Sequence, residues 1–462
     1  MNPFTPPLRR LSLLALGSLA ALSAQALDLK EAWQAARGHD PQVAVSQAAR
    51  EAGAARRAQA NALWQPAVQL STTAALASAD SAMGGAHFSA PGLGASDGVG
   101  FGTSVRGGTS TRWAVSARQP LLNPERQAKG RQLDLSADLA DLAWQAAQQE
   151  VMLHTAQRYF DVTLAQRRLE LLRQQQASVD KTLVEAKDRF ALGDKPVTDI
   201  HEASARALAL QAQVLAAQGE LDLASALLAD TTGLASIGTD LRAPGAGAAQ
   251  PLALQPLAYW LAEAADHNLG VRMQQAAVQV AQQEVAKHQA ASAATLDLVA
   301  QAGRDRLSGN GSFGAASTTA SQQMVGLQLN LPLYTGGYRS ARLSEALALE
   351  DKARAEVEAT RQQVRQQTQT AWQGLQLGQA RLQALEAAQT ASAARLDATA
   401  LGRQVGDRTT LELLQAQNDA ASADLALVQA RTDLLMNRLR LHALAGQLTE
   451  TQLDAVNAQL AR

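Results

Sequence analysis

The chain has 462 residues, 47 % of them apolar but only 3 % aromatic, and a formal net charge of −1. So even a balance gives no basis for a nucleic-acid or polyanion partner, and the absence of cysteine excludes disulfides, a thiolate metal site and a lipid-anchored N-terminal cysteine. Charged residues, at 18 %, fall below the usual share, and alanine, glutamine and leucine take their place. This mix favours long helices that touch through small side chains.

Arg9 and Arg10 precede an apolar stretch from Leu11 to Leu22, and Ala24-Gln25-Ala26 follows as a small-x-small cleavage pattern. Residues 1–26 therefore read as a secretory signal peptide, with a mature chain from Leu27. No later stretch has the run of about 18 apolar residues that a membrane helix needs. Any membrane crossing after export must use strands.

The remainder reads as two tandem copies. The shift that carries His39-Asp40 onto His267-Asn268 also carries Val43 to Val271, Gln47 to Gln275 and Leu70 to Leu298. A smaller shift carries Gly193 to Gly406 and Gly233 to Gly446, and nearly the same one takes Pro120-Leu121 to Pro332-Leu333. The change in shift falls between the strand candidates, where the first copy has the longer loop. The first repeat spans 27–242, a linker rich in Ala, Pro and Gly spans 243–256, and the second repeat spans 257–462.

In chain order, a helix is expected from about Pro41 to Ala62. Strands follow at about 67–76 and 112–119, joined by a Gly/Ser/Thr-rich loop from Gly84 to Gly108. No proline lies between Pro124 and Pro196 or after Pro332, and proline is tolerated only in a helix's first turn. One helix is therefore expected over about 124–192, with apolar residues alternately four and three apart: Leu135, Leu139, Leu142, Ala146, then Leu153, Ala156, Phe160. That is coiled-coil spacing. A helix over about 197–231 returns. The second repeat is expected to run likewise: a helix at about 269–290, strands at about 295–303 and 325–333 with a loop from Ser308 to Ser321, a long helix at about 338–402 and a return helix at about 407–444. Ala371, Leu375, Gly378, Leu382 and Leu385 repeat the same spacing. Gly193 and Gly406 supply the turns between long and short helices. In the strand candidates, Val325, Leu327, Leu329, Leu331 and Leu333 are apolar while Gln328 and Asn330 between them are polar, as in a sheet with one apolar and one wet face.

Four strands cannot close a barrel, and an open edge in lipid leaves backbone groups unpaired at several kcal/mol each. The smallest bacterial barrels have eight strands. If these strands lie in a membrane, several subunits share one barrel; three would give twelve strands. An ordinary α+β domain with a half-buried sheet remains the other reading of the alternation.

Several stretches together resemble the TolC family of outer-membrane efflux and secretion channels. They are Leu29 to Ala36 with His39-Asp40-Pro41; Ala156 to Asp161; Arg189 to Gly193 with Thr198-Asp199-Ile200; Leu331 to Gly337; and Val405 to Thr409 with Leu411 to Ala416. The resemblance covers nearly all of the mature chain. It implies a mostly α fold with a small membrane β-barrel contribution, and a homotrimer that joins a twelve-stranded barrel to a coiled-coil α-helical tunnel through the periplasm. It also implies docking to a periplasmic membrane-fusion (adaptor) protein and to an inner-membrane ABC or proton-driven pump, and contact with outer-membrane lipid. The channel does no chemistry, and no catalytic, metal or cofactor residue is expected.

The resemblance places a gate at the tip. Glu412 takes the first acidic position of the narrowest ring, and Gln415 stands where a second acidic residue is common. Arg408 matches an arginine that ties the closed tip to its neighbour, with Thr198 and Asp199 as partners. Arg403 replaces a tyrosine that also holds the gate in the best-known member. Asp199 and Glu202 are the first-repeat equivalents of Glu412 and Gln415. Gly193 and Gly406 mark the tip turns where an adaptor docks. The cargo stays open between type I protein secretion and small-molecule efflux. The competing class is a periplasmic coiled-coil adaptor or scaffold. It would stay soluble without detergent.

Overall fold

The computed structural model describes residues 27–92, 94–193, 196–235, 241–245, 254–312 and 314–460. The expected signal peptide and most of the expected linker lie outside them. Each half begins with two short helices, α1 (Leu29–His39) and α2 (Pro41–Ala62), or α5 (Leu257–His267) and α6 (Leu269–Ala290). Next come two strands, β1 (Ala67–Ala90) and β2 (Gly94–Leu122), or β3 (Thr295–Gly311) and β4 (Gly314–Asn330). Each half closes with a long helix and its return: α3 (Pro124–Ala191) and α4 (Val197–Thr232), or α7 (Tyr338–Gln404) and α8 (Thr410–Leu444). A last helix, α9 (Glu450–Asn457), packs on α1 and α8.

Local chemistry sets most boundaries. Asp40 and Asn268 each stand at the junction of two helices. The Asp40 side chain accepts the N–H of Gln42 at 2.7 Å, with Pro41 in the first turn. The Asn268 side chain accepts the N–H of Val271 at 3.1 Å. Asn123 caps α3 just before Pro124. From there α3 runs 68 residues, about 100 Å at 1.5 Å per residue, and α7 runs 67. Helices of this length cannot be enclosed by one core, so they pack along their sides. They do so through small residues: Gly53 of α2 lies against Ala137 and Ala140 of α3, and Gly378 of α7 against Leu434 of α8.

The largest apolar core sits part-way along, where α1, α3, α4, α8 and α9 meet around Trp33, Tyr159, Phe160, Leu228 and Leu439. Tyr159 and Phe160 pack edge to face with ring centroids 5.8 Å apart. The Tyr159 hydroxyl lies 2.9 Å from the carbonyl oxygen of Leu27 and accepts the N–H of Arg242 at 2.9 Å. It thereby holds the segments that open and close the first repeat. The two matched glycines are explained here too. Gly233 (φ 71°) packs against the His39 ring, and Gly446 (φ 67°) against the carbonyl of His267. The matched His and Gly thus meet in both repeats, through the ring in the first and through the backbone carbonyl in the second.

The four strands form one antiparallel sheet in the order β1-β2-β3-β4. Directly paired residues share a face. One face carries the row Val68, Ala117, Ala300, Val325 and the row Leu70, Val115, Ala302, Gln323. The other carries Arg112 paired with Asp305 at 2.6 Å and Arg118 paired with Asp297. Two expectations are corrected. Of the two stretches expected as loop, residues 84–90, 94–108, 308–311 and 314–321 are strand, because backbone pairing continues through them to Ala90–Gly94 and Gly311–Gly314. The last strand also stops at Asn330 and not at Leu333, since Pro332 has no N–H for a ladder. At the helix ends, α7 continues to Gln404 and α8 begins at Thr410. No described helix is long and apolar enough to cross a membrane.

Gly446→Ala combines a positive φ with a Cβ placed 2.2 Å from the His267 oxygen. It should cost at least about 1–3 kcal/mol, read as a lower thermal midpoint in detergent. Gly219→Ala, whose Cβ meets nothing within 4 Å, should leave the midpoint unchanged or raise it.

Candidate functional site

The helical end remote from the sheet is built from two turns. Gly193 (φ 76°) closes α3 and Gly406 (φ 85°) closes α7. At the second turn, the carbonyl of Gly402 accepts the N–H of Asp407 at 2.8 Å and of Arg408 at 3.2 Å. The Arg408 side chain then lies over Gly402, where a Cβ would come within 2.7 Å of it. Gly402 is thus what lets Arg408 fold back across the turn.

Thr409 and Glu412 form a capping box at the start of α8. The Thr409 hydroxyl accepts the Glu412 N–H at 3.2 Å, and the Glu412 carboxylate accepts the Thr409 N–H at 2.7 Å. Arg408 Nη1 donates to the same carboxylate at 3.1 Å. The Thr409 N–H, then the Arg408 guanidinium and the Thr409 hydroxyl, hold the Glu412 carboxyl below its ordinary range. Gln415, one turn on, is exposed, as are Thr198 and Glu202; Asp199 is half-buried in the first turn of α4. Within one protomer, and among the described residues, Arg408 bonds to Glu412 and not to Thr198 or Asp199.

Arg403 has a partner that the sequence did not suggest. Its Nη2 lies 2.5 Å from Glu185 Oε2 on α3, and Glu185 also faces Arg189 at 3.3 Å. This contact ties the second helical hairpin to the first. Further from the tip the two hairpins are joined again. Arg206 donates to Asn418 at 2.7 Å, Gln417 to the Ser178 hydroxyl at 2.6 Å, and Arg167 to Asp424 through Nε at 3.0 Å and Nη2 at 2.7 Å. Val179, Leu210 and Leu414 form a small apolar cluster between these polar links. None of the links could be read in advance, because they depend on the axial register of one hairpin against the other, which no local pattern encodes.

This tip is a set of polar contacts between two hairpins with only a thin apolar core. No cluster of potential metal ligands exists among the described residues. Residues 32–234 and 260–447 match the family described as outer membrane efflux protein. The chain belongs to that family. It is 28% identical over 334 residues to the outer membrane protein TolC of Escherichia coli, covering 71% of this chain and 67% of that protein. It is 26% identical over 443 residues to the proteases secretion protein PrtF of Dickeya chrysanthemi, covering 94% and 91%. The fold is shared with the CmeC outer membrane channel of Campylobacter jejuni, with a TM-score of 0.71 at 13% identity over 100% of this chain and 98% of that one. The family's members are outer-membrane export channels and not enzymes, and the protein is one of them.

Two expectations test the tip. Arg403→Ala and Glu185→Ala should each raise channel opening in planar bilayers, and the double variant should add little to Glu185→Ala, which already removes the Arg403 contact. The depressed Glu412 value gives a sign for pH. Its contribution is present above the unfolded pKa and is lost as pH falls through the lower folded value. Hydrogen-exchange protection of residues 405–416 should therefore decline only below pH 4.5, and Glu412→Gln should remove that dependence.

Proposed function

We propose that three copies of the chain assemble into one conduit that carries substrate from an inner-membrane pump, across the periplasm, to the exterior. The observation that carries this reading is the sheet. It has four strands, both of its edges are free, and one face is apolar. Val325, Leu327 and Leu329 on β4 and Val68 and Leu70 on β1 are each more than half exposed. In lipid the free edges must pair with other copies, and the apolar face turns outward while the Arg112–Asp305 and Arg118–Asp297 pairs line the lumen. Trp64, Tyr334 and Tyr338, exposed below the strands, suit the periplasmic rim of the membrane.

The helical hairpins then surround a tunnel about 100 Å long. Its tip presents Glu412 from each copy around the narrowest point, with Arg408 free to exchange Glu412 for Thr198 and Asp199 of a neighbour. Gly193 and Gly406 present the turns to a periplasmic adaptor, and an ABC or proton-driven pump supplies the energy. Protein is the favoured cargo, because the match to the proteases secretion protein PrtF runs over 94% of this chain.

Single-channel recording in planar bilayers tests the conduit. Wild type should give small, cation-selective currents. Arg408→Ala with Asp199→Ala should enlarge them, and Glu412→Gln should lower the cation preference. A protein that stays soluble without detergent and conducts in no form would exclude the channel.

A further inference from the structure

The outward face of β3 carries a feature that a sealed conduit does not require. Along it run Leu296, Leu298, Ala300 and Ala302, and then Arg304 and Arg306, both exposed. The intervening Asp305 points to the other face, where Arg112 takes it. The sheet arginines on that inner face, Arg112 and Arg118, each have an aspartate. Among the described residues, neither Arg304 nor Arg306 makes an ion pair. Two like charges about 7 Å apart on one strand face repel each other without a counter-charge between them.

Their neighbours are suited to hold an anion. Arg304 pairs across the sheet with Trp113 on one side and Ser321 on the other, and Arg306 with Thr111 and Thr319. Two guanidinium groups are thus flanked by three hydroxyls and an indole that is 47% exposed. Arginine forks match phosphate oxygens, and hydroxyls fill the remaining acceptor sites. Their height is also informative. Leu296 to Arg304 spans about 26 Å along the strand, or roughly 20 Å across a membrane at the usual barrel tilt. The exposed Leu331, Leu333 and Tyr334 continue the apolar surface on the helical side. That span approaches the apolar band of about 25 Å in outer-membrane barrels, so the two arginines lie at its outer rim. β3 is an inner strand of the sheet, and no seam between copies can cover its outward face.

We infer that Arg304 and Arg306, with Ser321, Thr319 and Thr111, bind a phosphate of the phosphorylated glycolipid in the outer leaflet. The inference rests on the membrane orientation given under the proposed function. The site would hold each protomer at a fixed depth through charge-assisted bonds, while the apolar rows below supply non-directional burial.

Native mass spectrometry of the detergent-purified full chain tests it, with the bisphosphorylated outer-leaflet glycolipid, its enzymatically dephosphorylated form and inorganic phosphate as probes. Wild type should retain the bisphosphorylated lipid and neither of the other two. Arg304→Gln with Arg306→Gln should weaken retention at least about tenfold, whereas Arg112→Gln, on the lumen face, should leave it unchanged. Equal retention by the double variant, equal retention of the dephosphorylated lipid, or occupation by inorganic phosphate alone would overturn the assignment. The same preparations are recorded in planar bilayers. Conducting protein with any of those results removes the lipid site and leaves the export reading, whereas protein that never enters the bilayer removes both.

Discussion

Everything in this molecule follows from two sheet edges that one chain cannot pair. A strand edge in hydrocarbon leaves each N–H and C=O without water or partner, and each such group costs several kcal/mol. Four strands with both edges open therefore form an incomplete object. In the proposed conduit, closing the sheet with further copies would satisfy the edges and set the symmetry of all that hangs below. Helices of 68 and 67 residues would then have neighbours on both sides. Their many small contact residues let backbones approach closely where a thick aromatic core is impossible.

The same constraint separates strength from mobility. The core around Trp33, Tyr159 and Phe160 is apolar and fully buried, and it fixes how the repeats sit on each other. Toward the tip, burial thins to Val179, Leu210 and Leu414, and polar pairs take over. Partly exposed ion pairs contribute only about 0–1 kcal/mol each. A tip held by a few of them can move between two arrangements at small cost, while the core keeps the repeats in register. That gradient is what the proposed gate rests on: the helical tip would open while the sheet stays intact.

Much of this was legible in the sequence because it is local. Proline-free runs showed the long helices, glycines after them showed the turns, and the repeated His39 and His267 showed the duplication. Other features needed three dimensions. The segments around Gly98 and Ser317 are dominated by Gly, Ala, Ser and Thr, which read as loop, yet they pair through their backbones. The helices α1, α5 and α9 are only 11, 11 and 8 residues long, and each shows its role only through the core it covers, although α1 and α9 also begin with capping boxes. Arg403 was singled out as a departure from the tyrosine of the best-known family member, but its partner Glu185 sits 218 residues away in the chain. Only the packing of one hairpin on the other brings them together. Thr409 with Glu412 is the opposite case: a three-residue spacing forms the capping box directly.

The shared barrel is the claim on which the rest stands, and the absence of cysteine makes it directly testable. Val68→Cys lies on β1 and Val325→Cys, Leu327→Cys or Leu329→Cys on β4, at opposite edges of one sheet. They are three strand spacings apart, about 14 Å, too far to bond within a chain. Oxidation of membranes containing Val68→Cys combined with each partner in turn should give, for at least one pair, a covalent ladder that stops at three protomers. A ladder that stops at another number, or monomer alone for every pair, would contradict a trimeric barrel closed between β1 and β4.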